Sequence, residues 1–174
     1  LITRGSQEPS GEDTLYHSSS DRMINARVNM VRKLEQKGIS SGSVLQAMLK
    51  VPRHVFVSEA LCYRAYDDTS LPIGFGQTIS TPSVVASMVQ SLRLTGDERV
   101  LEIGSGSGYQ AAVLGELSGQ VTGMERISEL AERSRGAIFS LKYSNIKIIN
   151  SDDFNSVDGN FDRIIVAAGV KIFP

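Results

Sequence analysis

A single cysteine, Cys62, is too few for an intramolecular disulfide or a cysteine-rich metal centre. It is expected to be a small core side chain in a reducing compartment. Histidine is scarce too, and His17, beside three serines, reads as a solvated side chain; no metal site is expected. Neither sign of charge is in excess: 18 Lys and Arg against 19 Asp and Glu give a formal net charge of −1. That balance supplies no electrostatic reason to expect nucleic acid or a membrane surface as partner. No apolar run is long enough to cross a bilayer, and the polar N-terminus does not read as a signal peptide, so the cytoplasm is expected. The 174 residues suit one domain able to bury a real core.

The stretch around which the chain is organised is Arg99-Val100-Leu101-Glu102-Ile103-Gly104-Ser105-Gly106-Ser107-Gly108-Tyr109. Val100, Leu101 and Ile103 fit a buried strand; three alternate glycines then turn into an amphipathic segment, Gln110 to Leu117. Strand, glycine turn and helix open a nucleotide-binding α/β unit, in which backbone without Cβ atoms can approach a ligand closely. The dinucleotide pattern G-x-G-x-x-G would need glycine where Tyr109 stands, and no lysine completes a P-loop. A second apolar run, Val121 to Met124, ends in Glu125, at about the ~20-residue offset of a carboxylate that grips ribose hydroxyls. A nucleoside without a diphosphate fits this pattern, and S-adenosylmethionine is the common ligand of that kind.

Upstream, residues 1–20 are polar and aperiodic and are expected to form a flexible tail. A helix is predicted from Asp21, with Ile24, Val28, Val31 and Leu34 as its stripe and Gly38 as its stop. A second is capped by Ser41 or Ser43, carries Val44, Leu45, Met48 and Leu49, and is closed by Pro52. These helices read as a small cap. Residues 66–82 read as a long, mostly irregular segment, in which Gln77, Thr78, Ser80 and Thr81 offer neutral hydrogen-bonding groups. Thr81-Pro82 makes an N-cap and N1 pair for a helix bearing Val85, Met88, Val89 and Leu92. That helix start either receives an anionic group or merely satisfies its own turn.

Beyond the glycines, a helix around Leu130, Ala137, Ile138 and Leu141 has Ser128 as N-cap. Strands are predicted at Ile146–Ile149 and Phe161–Ala167. Alternation of strand and helix implies a doubly wound, mostly parallel α/β sheet, with ligands outside the strands' carboxyl ends. Glu102, Glu125 and Asp152 each lie at or just past such an end.

With these residues in view, the chain resembles the protein-L-isoaspartate O-methyltransferase family from about Val28 onward. The specific stretches are Val51-Pro52-Arg53-His54-Val55-Phe56-Val57, Leu71-Pro72-Ile73-Gly74 with Gly76-Gln77-Thr78-Ile79-Ser80, and Val100 to Gln110. The resemblance implies a Rossmann-like fold, S-adenosyl-L-methionine as donor (S-adenosyl-L-homocysteine as product), and isoaspartyl-containing proteins and peptides as acceptors. It implies methyl esterification of the isoaspartyl carboxylate and repair through a succinimide. By position it makes Ser80 the active-site serine, with Thr78 and Ile79 in the substrate-contacting stretch. It puts Glu102, Gly104, Ser105 and Gly106 on the cofactor's methionine side, Glu125 and Arg126 at the ribose, and Asp152 and Asp153 on the adenine side. Arg53 and His54 are expected to fix the cap on the core.

The expected organisation is therefore a tail at 1–20, a helical cap with the substrate loop at 21–98, and a cofactor-binding α/β unit at 99–174. Ser151 and Asp153 stand where the family has glycines, and Ala167-Ala168-Gly169-Val170 departs from its pattern. The family continues past Pro174 with a further helix and strands, so C-terminal strands are expected to be missing from an incomplete sequence. A complete protein is expected to be monomeric, and a shortened one to associate through the sheet edge at Ile164–Val166. The alternatives are a same-fold methyltransferase acting on another carboxylate or peptide, and a non-catalytic cofactor-binding module. A dinucleotide oxidoreductase is disfavoured by Tyr109.

Overall fold

The computed structural model describes residues 11–169, with side chains from Asp21 onward. Helix α1 spans Gly11–Gln36, ten residues earlier than the apolar stripe predicts. Residues 11–20 are thus helical rather than an irregular tail. Residues 1–10 and His17's side chain lie outside the described residues, as does the stretch from Val170 to Pro174. The buried face of α1 centres on Met30 and Leu34, with Ala26, Val28 and Val31 partly covered, while Ile24 is exposed. Gly38, at φ 93°, ends the turn, where Gly38 and Ile39 amides donate back to Glu35 and Leu34 carbonyls.

Helix α2 (Gly42–Lys50) is capped by Ser41, whose hydroxyl accepts from the Val44 amide at 3.4 Å. Two short 3-10 turns follow, Arg53–Phe56 and Glu59–Arg64. The predicted irregular segment contains an antiparallel hairpin, β1 (Leu71–Gly74) with β2 (Gln77–Ile79). Its tip is Gly74-Phe75-Gly76, with φ of 92°, 54° and 67°. Two glycines make such a tight reversal possible, and Leu71, Ile73 and Ile79 turn inward. Helix α3 (Pro82–Ser91) starts as predicted, with the Thr81 hydroxyl accepting from the Val84 amide. The Ser83 amide goes to Asp68 Oδ1 at 2.9 Å, so the chain's own groups take this helix start, not a foreign anion.

The remaining elements are β3 (Arg99–Ile103), α4 (Tyr109–Gly115), β4 (Gln120–Glu125), α5 (Ser128–Ser140), β5 (Ile146–Asn150) and β6 (Arg163–Val166). They form a four-stranded, all-parallel sheet in the order β5-β4-β3-β6. Ser128 is the first residue of α5 rather than its cap; Glu125 Oε1 accepts the Ile127 amide at 2.9 Å just before it. Val100, Val121, Ile148 and Ile165 turn to the side where α3, α4, α5 and the cap share one core. Leu101, Ile103 and Met124 face the other side, over Val157 and Phe161. Among the described residues β6 is an outer strand, and its Ile164 is exposed. No described helix is long and apolar enough to cross a membrane.

Candidate active site

Parallel pairing brings the carboxyl ends of the strands to one edge: Ile103 lies beside Met124 and Val166, and Glu125 beside Asn150. Glycine is required at two points of the loop that crosses this edge. A Cβ on Gly104 (φ 82°) would sit 2.4 Å from the Ala168 Cβ, and one on Gly108 (φ 86°) 2.9 Å from the Ser134 Cβ. Gly104 and Ser105 amides donate to the Met124 carbonyl at 2.8 and 3.0 Å, and the Gly106 amide to Glu125 Oε2 at 2.9 Å. Glu125, predicted to grip ribose, thus also pins the glycine loop and the entry to α5; a carboxylate retains further lone pairs for hydroxyl donors.

Alternation along β3 puts Glu102 on the same face as Val100, toward the helices and hairpin. There it is wholly buried, and among the described residues neither carboxylate oxygen has a partner. Burial, and then the nearby Glu125 carboxylate, push its carboxyl up to about 8. It lines a cavity of about 40 Å³, large enough for a water-sized group. Around the same cavity stand Thr78, Ile79, Ser80, Gly104, Ser105 and Gly106. The hydroxyl-bearing loop and the glycine loop, distant in sequence, therefore meet.

Two further orphaned groups line this cavity, Ser105 Oγ and Gln110 Nε2. Among the described residues, six buried side-chain polar atoms lack partners, and four of them (with the two of Glu102) belong to its walls. Buried polar atoms normally find partners, so such a concentration marks a place built for a polar ligand. Sequence reading did not single out Gln110; the signal was a lone amide in an otherwise apolar first turn. Arg126 and Asp152 lie exposed along the strand ends and do not reach this cavity. Asp153 accepts the Asn155 amide and side chain at 2.9 and 2.8 Å, which commits one oxygen to capping a turn. Among the described residues no cluster suits a metal ion.

A larger cavity, about 390 Å³, lies across Gly106 and Ser107 from the first, between Phe56, Ile73, Leu130 and Arg133. It touches none of Ser80, Glu102 or Glu125. Of the stretch Val51–Val57, Val55, Phe56 and Val57 line the larger cavity, and Arg53 and His54 line neither. Arg53 is fully buried, donates to the Ala65 and Ser80 carbonyls at 2.8 and 2.7 Å, and stacks 4.7 Å from the Tyr109 ring centre. His54 Nδ1 lies 2.7 Å from the Tyr66 hydroxyl, away from the cavity. Desolvation, then Arg27, hold the imidazole below its usual range.

The family model for protein-L-isoaspartate(D-aspartate) O-methyltransferase matches residues 25–174. A protein-L-isoaspartate O-methyltransferase 2 of Geotalea uraniireducens is 49% identical over 158 residues, covering 87% of this chain and 73% of that protein. One from Azoarcus sp. is 48% identical over 153 residues, covering 86% and 70%. Among solved structures, a protein-L-isoaspartate O-methyltransferase of Plasmodium falciparum in complex with S-adenosyl-L-homocysteine superposes with a TM-score of 0.73. It is 28% identical, with 85% of this chain and 76% of that one covered.

Proposed function

Because the chain belongs to the protein-L-isoaspartate(D-aspartate) O-methyltransferase family, we propose that it methylates the free carboxylate of isoaspartyl residues in proteins and peptides. S-adenosylmethionine supplies the electrophilic methyl group when bound, and S-adenosylhomocysteine is the product. The residues present fit that donor. Around one cavity, Glu102, Ser105 and Gln110 present polar atoms without a described partner. Glu102 would hold the donor's cationic part, the Gly104–Gly106 backbone its neighbouring atoms, and Glu125 the ribose hydroxyls.

The acceptor is a carboxylic acid of pKa near ~4 and is already ionised at neutral pH. It needs no general base, which agrees with His54 lying outside the cavity. What remains for the protein is to orient one carboxylate oxygen and exclude water. Ser80 is half-buried on the cavity wall, and no protein group among the described residues bonds its hydroxyl. A neutral hydroxyl orients a carboxylate without the tight ion pair that would blunt its nucleophilicity.

The single observation that carries this reading is the meeting of Ser80 with Glu102 and the glycine loop around one cavity. Methyl incorporation into an isoaspartyl peptide, set against its aspartyl twin, tests the reaction. Ser80→Ala tests the site: transfer should fall at least tenfold while S-adenosylhomocysteine affinity, read by calorimetry, stays within about twofold. Equal loss of both would put Ser80 in another role.

A further inference from the structure

Arg53 is fully buried, yet among the described residues no carboxylate pairs with it. Desolvating a guanidinium is costly, and an apolar side chain of similar length would fill the same volume without that cost. What an apolar side chain cannot do is hold two carbonyls in one plane. Arg53 Nε reaches the Ala65 carbonyl and Nη2 the Ser80 carbonyl, while the Tyr109 ring faces the guanidinium. These are three separate pieces of the site's frame. Ala65 follows the cap's second 3-10 turn, Ser80 follows β2, and Tyr109 opens the helix after the glycine loop.

The Ser80 carbonyl belongs to the peptide that joins it to Thr81, and the Thr81 hydroxyl caps α3. With the carbonyl fixed on one side and the cap on the other, the backbone that carries the Ser80 hydroxyl has little freedom left. The guanidinium itself stays one peptide group behind the cavity and lines none of it.

We propose that Arg53 is the positioning residue for Ser80, its planar fork setting the serine against the glycine loop so that the hydroxyl meets the acceptor carboxylate. This rests on the reading of Ser80 given above. A lysine offers a point charge in place of the fork, and glutamine a neutral planar amide.

The test compares Arg53→Lys, Arg53→Gln and Ser80→Ala in the full chain. Val44→Ala, a core change in α2 at a residue that lines neither cavity, serves as a stability control. Kinetics are measured on an isoaspartyl peptide well below each variant's melting temperature, alongside S-adenosylhomocysteine affinity by calorimetry. Both arginine variants should lose ten- to a hundredfold in kcat/KM, mostly in kcat, with affinity for the homocysteine product within twofold and Val44→Ala near wild type. Should either folded arginine variant match Val44→Ala in kcat/KM, or lose product affinity in step with transfer, the positioning role is overturned. Should both fail to fold, the role is likewise overturned in favour of a structural one. If Ser80→Ala itself retains full transfer, the reading of the serine has failed, and the arginine assignment goes with it.

Discussion

Two glutamates four residues apart, one just before β3 and one near its carboxyl end, have been treated in opposite ways. Glu98 accepts the Thr95 amide with both oxygens, the Thr95 hydroxyl and the Gly96 amide, all within 3.0 Å. Those donors, the Thr95 amide first, hold its carboxyl down to about 2. Among the described residues no donor reaches Glu102, and its carboxyl is pushed up to about 8. A carboxylate saturated by its own turn is finished as structure. One buried with no partner is a cost the fold bears for something that arrives later. The strand thus separates a carboxyl closed by its own turn from one without a described partner, and Glu125, bonded through two amides, stands between these extremes.

Replacing Glu102 should show the largest effect. Glu102→Gln is expected to weaken S-adenosylhomocysteine binding at least tenfold, about 1.4 kcal/mol or more, by calorimetry. The same variant should melt at a higher temperature than wild type when ligand-free at pH 8. The sign follows from linkage. The folded carboxyl keeps its proton up to about 8, whereas an unfolded one loses it near ~4.3, so the folded state binds more protons between these values. Stability from this group is therefore complete below the unfolded value and is lost as pH rises through about 8. The two proteins should melt together near pH 4 and diverge on the way up; a constant offset would break the comparison.

Gln110→Leu should act in the same direction more weakly. Removing an orphaned amide of similar volume should raise ligand-free stability by roughly 1–2 kcal/mol in urea unfolding and cost a few-fold in product affinity. Glu98→Gln should show the smallest effect and the opposite sign. It lowers the melting temperature at pH 7, leaves product affinity untouched, and converges with wild type only as pH falls toward about 2, through the depressed folded value. A loss of binding in Glu98→Gln would erase the distinction between the two glutamates.

The strand–glycine–helix unit was readable because its restrictions are local: Gly104 and Gly108 need positive φ, and the apolar runs match buried parallel strands. The hairpin was harder to read. Leu71, Ile73 and Ile79 alternate over too few residues, and the glycines around Phe75 suggested an irregular loop although they build a turn. Orphaned atoms are invisible in sequence, since Gln110 in a helix says nothing of what its amide lacks. The role of Glu125 as clamp on the Gly106 amide likewise depends on a contact 19 residues long, which no local pattern announces. Arg53 was expected to fasten the cap; its bond to Ser80, 27 residues on, shows that the same side chain also reaches the wall of the smaller cavity.

The hairpin has a consequence for motion. A two-stranded ribbon of this size is barely stable by itself. This one is fastened by Arg133, on α5, to the Ile73 carbonyl at 2.8 Å, and by Arg53 to the Ser80 carbonyl. To breathe, it must let go of both arginines together, so its opening is tied to loosening of the cap and α5 rather than to its own weak pairing. Amide hydrogen exchange across 71–79 should follow the rhythm of those neighbours, protected when they are and released with them.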